Sequence, residues 1–362
     1  MIRPDPLFAP SYAEARRRFV AAAGARGARL EAHVNPCGRG LDGEALAADV
    51  AVFGPADAYD VVMLHSGTHG VEGYCGSGLQ QAVLAPDGPL EPALRAGVRV
   101  VLLHAINPWG FSWRRRVTED NVDLNRNLRD FSALDPHDPD YDEVHPLLLP
   151  EHWPPDEANR AAIAAYVAEH GAARWQWAVS HGQPSRPDGL FHCGRAPAWS
   201  NRTLREVLRR HVRGAERLAW IDVHTGLGPC GHAEMIYGGR DAADDLARTR
   251  AVWGPQVTSV FEGTSASARV EGQVGNAAYD ECPGTAFAGI GLEYGTLPMD
   301  AVIDALRFDH WVAARAPHDD ALRAQARERM MAAFFVDTDD WKAAVIRQGV
   351  DAFARAVQGL RR

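Results

Sequence analysis

The chain has 362 residues, 46% apolar and 23% charged, which is ordinary for a soluble globular protein and enough for one large α/β domain or two small ones. Its formal charge of −9 is scattered without a basic stripe, which argues against a nucleic-acid groove, and no apolar run is long enough to span a membrane. Five cysteines, odd in number and without a C-x-x-C pair, exclude a disulfide framework or a cysteine zinc site and suggest a reduced, cytoplasmic protein.

The N-terminus, Met1 to Leu7, lacks the apolar region of a secretory signal. Residues 10–24 then form an amphipathic pattern with Ser11 placed to cap a helix. Strands are expected near 30–34 and 49–53, followed by the apolar run Val61-Val62-Met63-Leu64. That run ends in His65-Ser66-Gly67-Thr68-His69-Gly70-Val71-Glu72-Gly73, a glycine-rich loop that leads into a helix. Residues 98–104 read as a central strand, and Asn107-Pro108-Trp109-Gly110 as a turn. From 130 to 155 the chain is rich in Pro, Asp and His with little periodicity, a long irregular connection. Helices are expected at 156–170 and 200–213, with a strand over 175–180 between them. Strands near 217–226, 233–237 and 286–296 follow, and from about 299 the chain is helical, with Thr338 as the cap of the last helix. Strands alternating with helices, without repeat or linker, predict a single α/β domain over 1–362.

Three strand ends carry chemistry-bearing residues: His69 with Glu72, then His224, then Glu293. Ligands of open α/β sheets gather outside the carboxyl ends of strands, so these groups can converge. A lone H-x-x-E also suits an exposed loop. In a turn entering a helix, however, it puts an imidazole and a carboxylate on one side of the backbone. Two histidines and one glutamate leave a fourth position open, as in a catalytic rather than a structural zinc site. Glu293 is then the candidate general base. His65 has helical spacing to His69, but the local sequence is strand and loop, which removes it as a ligand. His181, His192 and His232 read as peripheral.

His69-x-x-Glu72, Asp123-Leu124-Asn125-Arg126, Asp222-Val223-His224-Thr225 and the late Glu293 occur in the order found in the zinc carboxypeptidase superfamily, which the chain resembles over about 50–300. That superfamily includes the succinylglutamate desuccinylase and aspartoacylase group, and the likeness is strongest to a bacterial branch of unassigned function. The resemblance implies a three-layer α/β/α sandwich around a mixed, twisted sheet. It implies one zinc ion held by His69, Glu72 and His224, with Asp123 and Asp222 as carboxylates behind the histidines. It further implies Asn125 and Arg126 as the clamp for a substrate carboxylate and Arg116 as the oxyanion-stabilising cation. Tyr279 is the candidate for the substrate-side tyrosine of the family, with Tyr237 the alternative. An insertion at about 130–200 is expected to cover the cleft.

The expected activity is hydrolysis of an amide bond next to the carboxylate of a small molecule or short peptide. An N-acyl amino acid deacylase is the alternative, and a catalytically inactive metal-binding protein a second one.

Overall fold

In the computed structural model, which describes residues 5–361, the apolar segments pair into one eight-stranded sheet. Residues 1–4, within the N-terminal stretch on which the signal expectation rests, lie outside the described residues. The strands are β1 (Arg29–Arg39), β2 (Ala45–Phe53), β3 (Asp60–His65), β4 (Arg99–His104), β5 (Arg217–Cys230), β6 (Ala233–Tyr237), β7 (Thr258–Ser259) and β8 (Ala286–Gly295). They lie in the order β1-β2-β4-β3-β5-β8-β6-β7. The centre, β4-β3-β5-β8, is parallel, and β2 and β6 join it antiparallel, so the sheet is mixed. The helices are α1 (Tyr12–Ala25), α2 (Gly73–Leu84), α3 (Leu90–Arg95), α4 (Pro108–Trp113), α5 (Pro139–Leu148), α6 (Glu157–His170) and α7 (Ala172–Ser180). They continue with α8 (Trp199–His211), α9 (Ala243–Trp253), α10 (Asn276–Glu281), α11 (Met299–Arg315), α12 (Asp320–Phe334) and α13 (Asp339–Gly359).

Successive strand side chains point to opposite faces, and here both faces are apolar. Val62, Leu64, Leu102, Ile221, Ile290 and Leu292 pack with Phe19, Leu79, Trp253 and Phe353 of α1, α2, α9 and α13. Met63, Val101, Leu103, Leu218, Trp220 and Phe287 pack on the other face with Leu204, Val207 and Ala277 of α8 and α10. Each such side chain contributes about 1.5–3 kcal/mol when removed from water. The three-layer α/β/α class read from the sequence is therefore what the chain adopts. Both expected caps form: Ser11 Oγ accepts from Glu14 N at 3.3 Å and Thr338 Oγ1 from Trp341 N at 3.4 Å. Among the described residues no helix is long and apolar enough to cross a membrane.

Three local expectations are corrected. Residues 175–180 are the end of helix α7, not a strand: Trp175, Ala178 and Val179 turn inward at i, i+3, i+4 spacing, which six aromatic and β-branched-rich residues could not display. Asn107-Pro108 opens α4, with Asn107 Oδ1 accepting from Gly110 N at 2.9 Å and Pro108 in the first helical turn. Within 130–155, α5 starts in the same way on Asp138 and Pro139. Helices α5, α6 and α7 share a separate apolar cluster with α11 and α12, built on Tyr141, Leu148, Tyr166, Leu306 and Phe334. This cluster lies beside the carboxyl ends of the central strands, because Phe334 also lines the cavity there.

Two histidines inside these layers make stability depend on pH. Burial pushes His104, which stacks on the Phe19 ring at 4.7 Å, down to about 3, aided by the charge of Arg16. Burial likewise holds His310 at about 4. In the unfolded chain both titrate near 6.5. Between that value and their folded values the unfolded state binds more protons, so stability falls as the pH falls. Urea unfolding at pH 7 and pH 4.5 is expected to show a loss on the order of 2 kcal/mol per histidine. His104→Asn, which cannot titrate, flattens that slope. Equal pH dependence in the variant and the wild type would contradict the assignment.

Candidate active site

β3, β5 and β8 run parallel and end on the same edge, so the residues at their carboxyl ends share one side of the sheet. The register places His65 opposite Asp222 and His224 opposite Glu293. Strand alternation then turns Trp220, Asp222 and His224 of β5 to the same face as Phe287, Gly289, Gly291 and Glu293 of β8. After β3 the chain makes a left-handed step at Gly67 (φ 73°), where a Cβ would come 3.2 Å from Ala105 Cα. At Gly70 a Cβ would lie 2.0 Å from the Gly110 carbonyl carbon, so only glycine lets this turn rest on α4. Gly70 N and Val71 N donate to Arg116 O and Arg115 O, which ties the loop to the arginine segment. The 3-10 turn Gly70–Glu72 then presents His69 and Glu72 together.

His69 Nδ1 lies 2.9 Å from Glu72 Oε1, His224 Nδ1 3.1 Å from Glu72 Oε2, and the two Nδ1 atoms 3.2 Å apart. All three side chains are buried, and one ligand atom from each falls within 4.8 Å of the others. Among the described residues no other cluster of His, Cys, Asp or Glu does this. His224 Nε2 bonds Asp222 Oδ2 at 2.6 Å, which puts a proton on that nitrogen and turns Nδ1 toward the cluster. His69 Nε2 stands 3.3 Å from Asp123 Oδ1 but off the line of a hydrogen bond, and is left without one. Two imidazole nitrogens and a carboxylate brought this close together are, once the protons between them are released, a donor set for a cation. Their chemistry is that of a catalytic zinc site. The residues present therefore fit the ion.

The electrostatics divide the carboxyl groups. Burial alone would raise Glu72, yet the neighbouring His69 and His224 hold it at about 2. Asp123 and Asp222, equally buried, are kept well below the usual range, the first by Arg116 and His69, the second by His224 and His65. Burial also opposes charge on His224, but Asp222 and Glu72 outweigh it and raise that group. Glu293 goes the other way. Burial and the nearby Glu72 charge push it up to about 8, although Leu227 N donates to its Oε1 at 3.0 Å. Carboxyl groups driven apart in this way mark different roles in one site.

Arg116 donates from Nε to Asp123 Oδ2 at 3.0 Å and from one terminal nitrogen to Glu72 Oε1 at 3.3 Å. Arg115 instead pairs with Asp309. Asp123 caps the turn Leu124–Arg126, its Oδ1 accepting from Asn125 N at 2.9 Å. Asn125 Oδ1 accepts from Val274 N at 3.0 Å, which leaves its amide hydrogens as donors. Arg126 is buried, bonds the carbonyls of Ser180 and Asn125, and is brought down to about 10 by that burial. His69, Glu72, Arg116, Asn125, Arg126, Asp222, His224 and Glu293 all line one cavity of about 430 Å³. Its remaining walls are largely apolar, with Trp175 and Val179 from α7, Ile236 and Tyr237 from β6, and Val302 and Leu306 from α11.

Tyr279 is not among the lining residues. It stands behind Tyr237, edge-on to Phe287 at 5.1 Å and under the Arg240 guanidinium at 4.0 Å. Tyr237 does line the cavity, but its hydroxyl is committed to Arg240 O at 2.7 Å. His181 pairs with Asp138, His192 faces Gln183 O and His232 is exposed, so all three lie outside the ligand cluster. The sequence reading missed Phe191, whose ring lies 5.3 Å from the Arg116 guanidinium and 5.4 Å from that of Arg126, with a left-handed backbone (φ 54°). It also missed Thr68 and Trp220, which join His65 to Asp222. Period-two alternation from Asp222 could have singled out Trp220; nothing in the sequence marks Phe191.

A family model described as "Protein of unknown function (DUF2817)" matches residues 8–348. No curated protein matches significantly. Among solved structures, bovine thrombin-activatable fibrinolysis inhibitor, in complex with tick carboxypeptidase inhibitor, aligns with a TM-score of 0.53 at 11% identity, covering 98% of each chain. Carboxypeptidase A from Helicoverpa armigera aligns with a TM-score of 0.43 at 14% identity, covering 89% of this chain and 73% of the other. An aspartoacylase family protein from Mesorhizobium loti gives 0.38 at 16% identity, covering 79% and 67%. At such identities the likeness is one of fold. The chain belongs to the family described as a protein of unknown function (DUF2817), and its α/β fold is carboxypeptidase-like.

Proposed function

We propose that this protein is a single-domain, zinc-dependent hydrolase that cleaves an amide bond next to a substrate carboxylate. The observation that carries the reading is that the His69, Glu72 and His224 ligand atoms meet on the wall of the cavity that Glu293, Arg116 and Arg126 also line. When bound, zinc supplies Lewis acidity to the scissile carbonyl and to the attacking water. Glu293, as the carboxylate, takes the proton of that water and passes it to the leaving amine, a role its place on the cavity wall beside the ligand cluster allows. Arg116 donates to the oxygen on which negative charge develops. Arg126 and the amide of Asn125 hold the substrate carboxylate, and the apolar walls exclude water around the reacting groups.

The walls support an amphipathic substrate. Charged lining groups are confined to the reacting end, while α7, β6 and α11 contribute apolar side chains. Helix α7 belongs to the 130–200 insertion, whose presence beside the cavity favours small substrates over protein tails. This keeps the N-acyl amino acid deacylase as the second reading. A panel of N-acyl amino acids and of peptides of increasing length, each with a free carboxylate and an apolar side chain, separates the two. Rapid turnover of long peptides would sink the narrow-cleft reading. Arg126→Lys keeps the charge but loses the planar fork. It is expected to raise KM about 10–100-fold, equivalent to about 1.5–3 kcal/mol for a charged hydrogen bond, with a much smaller change in kcat. An unchanged KM would contradict the clamp.

A further inference from the structure

We infer that Trp220 is a positioning residue that fixes, through His65 and Thr68, the orientation in which Asp222 holds the candidate zinc ligand His224. The indole N–H can only donate. It lies 2.6 Å from His65 Nδ1, so that nitrogen must accept and the hydrogen of the His65 ring is on Nε2. Nε2 lies 2.6 Å from Thr68 Oγ1 and 3.0 Å from Asp222 Oδ1. Thr68 Oγ1 spends its single hydrogen on Asp222 Oδ1 at 2.8 Å and therefore accepts from His65. Asp222 Oδ2 is then left to accept from His224 Nε2 at 2.6 Å, and His224 Nδ1 faces Glu72 and His69.

The donors of the first three links all point from the indole to Asp222, and His224 Nε2 donates to the same carboxylate from the other side, so Asp222 is held at both oxygens. The groups are buried, with His65 and Thr68 fully so, and no water is needed to complete any link. Hydrogen bonds aligned in series polarise one another, and partners behind a metal ligand set its tautomer and basicity. Reversal at any one link would leave two donors or two acceptors facing each other in a dry site, at a cost of about 1–3 kcal/mol. A donor-only group at the far end thus excludes the reversed arrangement. Phenylalanine at 220 would keep an aromatic ring in this layer and lose the donor.

The metal half of the inference rests on the zinc reading; the tautomer half does not. In the full-length protein with 15N-labelled histidine, before any metal is added, NMR is expected to show His65 with a protonated Nε2 and a bare Nδ1. A protonated Nδ1 would overturn the inference. Zinc affinity measured by chelator competition is expected to fall about threefold to tenfold in Trp220→Phe, below the range for groups that touch a ligand directly. Thr68→Val, which breaks the chain without changing shape, should weaken zinc similarly, and Thr68→Ser should restore it. Unchanged zinc affinity in both Trp220→Phe and Thr68→Val would overturn the inference. So would equal loss in Val and Ser at position 68, which would make the role one of packing. If the wild type takes up no zinc, the hydrolase reading fails, and the His65 tautomer alone decides the inference.

Discussion

Glu293→Gln is expected to lower kcat by about 10²–10⁴-fold while zinc content stays at the wild-type level. Glutamine has the same shape and keeps an oxygen to accept from Leu227 N, as Glu293 does at 3.0 Å. What it loses is the ability to take and return a proton. Burial and the nearby Glu72 charge raise Glu293 to about 8, so it is the one of these carboxyl groups whose surroundings do not hold it low. Glu72, Asp123 and Asp222 are held low by their cationic neighbours. Kinetics and metal analysis on the same preparation separate the outcomes. Full activity with zinc retained would remove Glu293 as the base, and lost zinc would show that the residue acts on the ion instead.

The second large effect is expected at Glu72. It is buried, and its two oxygens face His69, His224 and Arg116. Glu72→Gln removes the negative charge that balances the cation and is expected to reduce bound zinc to less than a tenth of wild type under equal conditions. Because an ion bound only to the native state stabilises it by RT ln(1 + [Zn]/Kd), free zinc at a thousand times Kd adds about 4 kcal/mol. Thermal unfolding of the wild type should therefore rise with added zinc and fall with chelator, whereas the variant should respond to neither. An equal zinc-dependent shift in the variant would contradict Glu72 as a ligand.

Much of this site was legible because each piece of chemistry sits where an apolar strand stops. Val61–Leu64, Trp220–Val223 and Phe287–Leu292 are unmistakable as buried strands, and His69, His224 and Glu293 follow from where those runs end. What joins the pieces was less legible. The helical nature of 175–180 shows in which side chains turn inward, and those turn toward α5 and α11, distant in sequence, as well as toward the adjoining α6. Tyr279 was misplaced because a tyrosine's access to the cavity depends on the path of the loop after β6, which puts Tyr237 in front of it. Phe191 and the Trp220–His65 and Thr68–Asp222 links are defined by contacts between remote segments. No local periodicity or spacing encodes which indole will meet which imidazole.

The measurement closest to the central claim is the zinc stoichiometry of the reconstituted protein, read together with X-ray absorption at the zinc edge. One zinc per chain is expected, bound by two imidazole nitrogens at about 2.0–2.1 Å and carboxylate oxygen at about 2.0–2.2 Å, with the signal lost in Glu72→Gln. A chain that takes up no zinc, or binds it without histidine, would contradict the account.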